Sequence, residues 1–210
     1  MTDDIPTTGP GHKAEVLERT VAYKGFFQMH ELTLRHTLFR GGWSKSFSRE
    51  VFVRGEAAGI LLYDPDRDSL VLVEQFRVGA LAAGEAPWML EIVAGIVDPG
   101  ETAAEVVVRE AMEEAGCTAT DVFPISRFMP SPGGCSEVIS LFCGRVDSQG
   151  VGGVHGLESE NEDIRVHVVP ADQAIAWMDE GRFTNSIALI ALGWFARHRD
   201  SLRRRWPVTT

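Results

Sequence analysis

Glu101, Glu105, Glu110, Glu113 and Glu114 all fall within residues 101–114, with Arg109 among them. On a helix, residues three and four apart share a face, so Glu110, Glu113 and Glu114 crowd one surface. Like charges at that spacing repel and weaken an isolated helix. The arrangement makes chemical sense once a divalent cation sits among the carboxylates. An oxygen-only ligand set favours hard ions such as Mg²⁺ or Mn²⁺, which keep waters and are completed by substrate phosphates. A glutamate-rich helix standing alone also reads as a solvated surface helix, with Arg109 pairing Glu105 or Glu113. Here the flanking glycines and the fixed spacing favour the cation.

The element that must carry these groups has readable ends. Thr102 with Glu105 three residues on is a capping-box pattern, and Pro99-Gly100 marks a loop just before it. Gly116 stands where a helix closes in a left-handed residue. Ala104, Val107, Val108, Ala111, Met112 and Ala115 form an apolar stripe near period 3.6. The helix is therefore expected to bury one face and offer carboxylates on another.

Around it the chain reads as mixed α and β. Residues 1–12 carry little apolar content and read as a loose tail. Val16–Val21, Gln28–Leu38 and Ser44–Phe52 read as strands of a small N-terminal β lobe over residues 13–55. Ala57–Tyr63 and Leu70–Phe76, joined by Asp64-Pro65-Asp66-Arg67-Asp68, read as a hairpin. Trp88–Val93 is expected to be one strand leading into the carboxylate segment. Val122–Met129, Val138–Val146 and Ile164–Val169 are further strands, with a mobile glycine-rich loop over residues 149–156. Asp172–Glu180 and Ser186–Arg203 read as helices, the second ending in Arg203-Arg204-Arg205, where cations suit the helix dipole. The class is α/β (α+β), with sheets layered between helices over residues 56–210.

Composition narrows the function classes. The chain has 210 residues, 44% hydrophobic and 24% charged, as expected of a globular protein. Its formal net charge of −10, from 20 Lys+Arg against 30 Asp+Glu, argues against general nucleic-acid binding, which depends on phosphate neutralisation. A bound cation would still reverse the sign locally and admit an anionic substrate. Cys117, Cys135 and Cys143 form no metal-ligand pattern and suggest reduced thiols. No signal peptide or membrane-length apolar run is visible, so the expectation is a cytoplasmic protein without a membrane partner.

The spacing from Gly95 to Cys117 resembles the Nudix box, G-x5-E-x7-R-E-U-x-E-E-x-G-U with U bulky and apolar. Gly95, Glu101, Arg109, Glu110, Glu113, Glu114 and Gly116 fill every fixed letter, while Ala111 and Cys117 are small for the U positions. The resemblance implies a loop–helix–loop within an α/β/α sandwich. It implies Glu110 and Glu114 as principal metal ligands, Glu113 as a further ligand or support, and the Ala94 carbonyl completing the shell. Arg109 would orient the carboxylates and Glu101 brace the loop.

The likeness continues into the bacterial ADP-ribose pyrophosphatase branch of that family. Tyr23-Lys24-Gly25-Phe26-Phe27 resembles a segment whose aromatic packs on adenine, and Arg49-Glu50 resembles a pair contacting adenine and phosphate. Glu74-Gln75-Phe76-Arg77 resembles the strand whose arginine holds the pyrophosphate. Ser131-Pro132-Gly133-Gly134, followed by Glu137, resembles the loop beneath the terminal ribose, with Pro132 where a proline marks this branch. His155 to Ile164 resembles the loop bringing a catalytic carboxylate, mapped to Glu160, with Glu162 as the alternative or as ligand to another metal. The implied activity is hydrolysis of ADP-ribose to AMP and ribose 5-phosphate, using two or three Mg²⁺ ions per site, as multi-metal hydrolases do. A homodimer through the N-terminal lobe is also implied, with Phe26 and Arg49 acting across it. Hydrolysis of other ADP-sugars or nucleoside diphosphate derivatives, or non-catalytic sensing of ADP-ribose, are the alternatives.

Overall fold

A computed structural model describes residues 11–207. The tail expected over residues 1–12 therefore lies, through residue 10, outside the described residues. The chain divides into two units, residues 1–54 with 131–137, and residues 55–130 with 138–210.

The first unit is built on a three-stranded antiparallel sheet of β1 (Ala14–Lys24), β2 (Gln28–His36) and β3 (Phe47–Val53), in that order. Residues 131–137 join it through the main chain. Phe52 N–H donates to the Gly134 carbonyl at 2.8 Å, and Ser136 N–H donates to the Phe52 carbonyl at 3.0 Å. A loop far along the sequence is thereby fixed to the end of β3.

The second unit starts from β4 (Glu56–Asp64) and β5 (Ser69–Phe76), the expected hairpin. It continues with α1 (Val78–Ala83), β6 (Trp88–Glu91), β7 (Val93–Ile96), α2 (Ala103–Ala115), β8 (Thr120–Phe128), β9 (Val138–Arg145), β10 (Gly153–His155), β11 (Ile164–Pro170), α3 (Ala171–Asp179) and α4 (Ser186–Arg205). The sheet runs β10-β11-β5-β4-β9-β8, with β6 on β5 and β7 on β4. Only β4 and β9 pair in parallel, which makes the sheet mixed.

Successive strand residues point to opposite faces. In β4, Ile60 and Leu62 therefore join one core with Val106, Val107 and Ala111 of α2, whereas Leu61 and Tyr63 join another with Leu192 and Phe195 of α4. Helices cover both faces, giving the expected α/β/α sandwich.

Two expectations change. Trp88–Val93 is two strands, because β4 and β5 pair only from Leu62–Asp64 to Ser69–Val71 and then part. β6 stays with β5, β7 crosses to β4, and the chain bends at Ile92, which is buried in the α4-side core. The glycine-rich loop expected to be mobile contains β10, which pairs with β11. Helix α1, six residues without a side-chain cap, is an element that the sequence patterns above do not predict.

Asp64, the fully buried last residue of β4, ties the turn that follows to the loop after β9. Burial raises its pKa, but hydrogen bonds from Ser148 and Arg67 outweigh this and bring it down to about 2. Cys117 and Cys143 are buried, Cys135 is partly exposed, and all three are free thiols. No helix among the described residues is long and apolar enough to cross a membrane.

Candidate active site

Helix α2 begins and ends where its sequence dictates. Thr102 Oγ1 accepts from Glu105 N–H at 3.3 Å, and Glu105 Oε2 accepts from Thr102 N–H at 2.8 Å, closing the capping box. Gly116 closes the helix with φ 61°. The buried face differs from the expected stripe. It consists of Val106, Val107, Ala111 and Ala115, while Ala104, Val108 and Met112 face solvent. The same inward face carries Glu114, which is only 3% exposed. Three consecutive valines allow several helical phases, and the packing chose the one that buries a carboxylate.

Burying that carboxylate requires polar partners. Ala94 N–H, on β7, donates to Glu114 Oε2 at 3.2 Å, and Gln75 Nε2, on β5, lies 3.5 Å from Oε1. One turn earlier, the Glu110 carboxylate fills the space where Gly95 lacks a side chain. A Cβ at Gly95 would lie 1.9 Å from Glu110 Oε1. Arg109 gathers the remaining acids, donating to Glu101 Oε1 at 3.1 Å, Glu110 at 2.9 Å and Glu113 at 2.8 Å. Glu105 is engaged with Thr102 instead.

The electrostatics are strained. Burial, and then the charge of Glu110, pushes the Glu114 carboxyl up to about 8, with Ala94 N–H and Arg77 pulling it back. Burial also raises Glu110, against the pull of Arg109. Glu162 adds negative charge felt by both groups. Among the described residues, no three His, Cys, Asp or Glu side chains already stand in metal-holding geometry. The donor set nevertheless fits a hard cation. It is all oxygen, it holds more negative charge than its arginines offset, and it includes a glycine notch shaped by one of the carboxylates.

Arg77 leaves the end of β5 and pairs with Glu91 of β6, at 2.8 Å from Nε and 2.7 Å from Nη2. Glu91, 8% exposed, and Gln75, 6% exposed, were not anticipated as site residues. Glu91 is the single polar residue of β6, which is the local signal that could have marked it, whereas Gln75 follows Glu74 in β5 and carries no such mark. Glu160 lies exposed on a single 3₁₀ turn, Glu158–Glu160. Glu162 is half-buried, and its Oε2 accepts from Leu157 N–H at 3.1 Å.

The remaining candidates belong to the first unit. Phe26 is 88% exposed and meets Phe27 edge-on. Arg49 lies over the Phe47 ring and donates to the Ser48 carbonyl, and Glu50 is exposed beside it in sequence. The Ser131 carbonyl accepts from Cys135 N–H at 2.9 Å, which closes the turn containing Gly133. Glu137 is buried and pairs with Arg54 at 3.2 Å. The structure thus brings together Ala94, Arg109, Glu110, Glu113 and Glu114, with Arg77 and Glu162 within electrostatic reach. Phe26, Arg49, Glu50, Ser131, Gly133 and Glu137 lie in the other unit.

Comparison with known proteins agrees with this geometry. Residues 53–187 match the NUDIX domain. The chain is 44% identical to the ADP-ribose pyrophosphatase of Escherichia coli K12 over 204 residues, covering 97% of this chain and 98% of that protein. It is 43% identical to the ADP-ribose pyrophosphatase of Haemophilus influenzae, over 91% of this chain and 90% of that one. A GDP-mannose pyrophosphatase of Enterobacter sp. is 33% identical, over 86% of this chain and 93% of that one. Among solved structures, an ADP compounds hydrolase shares the fold, with TM-score 0.68 at 21% identity over 93% of this chain and 97% of that one. The chain belongs to the Nudix family.

Proposed function

We propose that this enzyme hydrolyses the pyrophosphate bond of ADP-ribose, releasing AMP and ribose 5-phosphate. One observation carries the chemistry. Glu110 fills the notch at Gly95, Glu114 is buried one turn on, and burial penalises the charge of both, which a bound cation would offset. The relatives of near-full coverage named for ADP-ribose support the substrate.

Glu110, Glu114 and the Ala94 carbonyl would hold Mg²⁺ or Mn²⁺, with Glu113 as further ligand or support. When bound, such ions offset phosphate charge and lower the pKa of water. Arg109 keeps Glu110 and Glu113 from rotating away. Arg77, braced through Nε and Nη2 by Glu91, offers its remaining edge to the pyrophosphate as a charge-assisted donor. The attacking water gives its proton to a carboxylate of the 157–163 segment. Glu162, whose charge acts on both Glu110 and Glu114, is the better supported base, and Glu160 is the alternative. Phe26, Arg49 and Glu50 would take the adenine side, and Ser131, Gly133 and Glu137 the terminal ribose. We further propose that the chain acts as a cytoplasmic homodimer through its N-terminal lobe, with the adenine-side residues serving the partner's site.

The likeness to a GDP-mannose pyrophosphatase favours a second reading, in which the leaving group is a different nucleotide-linked sugar. The test is Mg²⁺-dependent AMP release from ADP-ribose, run beside ADP-glucose and GDP-mannose. Selective ADP-ribose cleavage abolished by EDTA is expected. Faster turnover of GDP-mannose would overturn the substrate assignment. Tight ADP-ribose binding without turnover of any of them would leave a sensor.

A further inference from the structure

A linkage at the far end of α2 joins the helix to the acidic segment. The ring of His155 lies against Gly116, where a Cβ would come within 2.7 Å of His155 Cε1. The next residue, Gly156, donates its N–H to the Glu113 carbonyl at 3.2 Å. That carbonyl belongs to the last turn, which has no donor within the helix. Gly156 also faces the acidic segment. Its φ is 102°, and a Cβ there would lie 2.7 Å from Glu162 Cβ. Leu157 N–H then donates to Glu162 Oε2 at 3.1 Å. His155 Nε2 is 2.9 Å from the Gly152 carbonyl. A carbonyl only accepts, so Nε2 carries the proton.

We propose that His155 and Gly156 form a latch that seats the acidic segment 157–163 on the C-terminal end of α2, making His155 a positioning residue for hydrolysis. The catalytic half of this inference rests on the reading of Glu162 as base. The physical logic is shared framing. Glu110 and Glu114 ride on α2, so a segment hooked to that helix keeps its carboxylate in register with theirs. The glycine run before it need not be stiff. A cavity of about 350 Å³, lined by residues including Cys117, Asp147, Val151 and His155, adjoins the ring. His155 is itself partly exposed and belongs to neither core, so its ring can be altered without removing a core side chain.

The test combines amide hydrogen exchange on the metal-free full chain with steady-state ADP-ribose hydrolysis, for wild type, His155→Ala and His155→Phe. His155→Ala should speed exchange at Gly156 and Leu157 by about tenfold or more, with the interior of α2 unchanged. Its kcat should fall by roughly ten- to a hundredfold, the scale of an ångström-sized misplacement, with KM nearly unchanged. His155→Phe keeps a ring on Gly116 and should recover most of both. Combining His155→Ala with Glu162→Gln should cost little beyond Glu162→Gln alone, because both act through one carboxylate. Unchanged exchange in His155→Ala, or faster exchange with normal kcat, overturns the latch. So does a double variant whose loss is the product of the two single losses. A Glu162→Gln enzyme with normal kcat would instead remove Glu162 as base, and the exchange and kcat of His155→Ala would still judge the latch.

Discussion

Replacing Gly95 by alanine puts one methyl group into the notch occupied by Glu110. The new Cβ would lie 1.9 Å from Oε1, 2.4 Å from Cδ and 2.7 Å from Cγ of Glu110, whereas real Cβ contacts do not fall below 3.0 Å. The carboxylate oxygen must therefore move by about 1.1 Å or more, either by side-chain rotation or by β7 and α2 moving apart. Rotation costs less, because the neighbours are the far end of a flexible side chain and Gly95 requires no positive φ. The stability loss should stay near the low end of the ~1–3 kcal/mol typical of overpacking. Activity should suffer far more. Displacing a reactive-site group by about 1 Å costs on the order of a hundredfold, equivalent to about 2.7 kcal/mol of barrier. The assay is AMP release from ADP-ribose at saturating Mg²⁺, alongside a thermal melt with and without Mg²⁺. Gly95→Ala should remain folded, lose roughly two decades of kcat, and show a smaller Mg²⁺-induced rise in Tm. Normal kcat with a normal Mg²⁺ response would refute the argument, since Glu110 would then work equally well an ångström away.

Glu114 should make the metal-free protein pH-sensitive. Its carboxyl titrates near 4.5 when unfolded and at about 8 in the fold, so between those values the folded form holds a proton that the unfolded form has lost. Stability from this group is complete below pH 4.5 and drains away as pH rises through about 8. In EDTA, Glu114→Gln should therefore gain Tm relative to wild type as pH goes from 5 to 9, while losing activity; a pH-independent Tm difference would contradict the burial argument. Arg77→Ala should lower kcat/KM by roughly ten- to a hundredfold through loss of a charge-assisted contact, and Glu91→Gln should fall between that variant and wild type. Equal activity of Arg77→Ala and wild type would remove the arginine from the phosphate site. Glu162→Gln should depress kcat by about 10²–10⁴ and Glu160→Gln far less, as measured by initial rates; the reverse order would return the base to Glu160.

Local signals in the sequence were the readable ones. The Thr102–Glu105 box and Gly116 mark the ends of α2 because caps are made by residues a few positions apart. Long apolar runs at 57–63 and 70–76 likewise became β4 and β5. What was hidden depends on distant partners. The break at Ile92 follows from β5 and β4 parting, which no residue near position 92 records. Glu114 is legible as a metal ligand, but its burial is not, because that depends on Ala94 and Gln75, elements away in the chain. Glu91 matters through Arg77, fourteen positions earlier. Helix α1 is six residues long without a side-chain cap, too short for a periodic pattern to stand out.

The three thiols offer a chemical handle that needs no engineering. Thiolate is the form that attacks alkylating reagents. Burial pushes Cys117 up to about 11 and Cys143 up to about 12, so at neutral pH both are almost wholly protonated as well as inaccessible. Cys135 is the partly exposed one, and it sits in the 131–137 loop, where its sulfur lies 3.5 Å from the Glu137 amide. A maleimide dye at neutral pH would therefore attach selectively to Cys135 in the wild-type chain. The fluorescence of that single label would report on the 131–137 loop, proposed for the terminal ribose, when ADP-ribose is added.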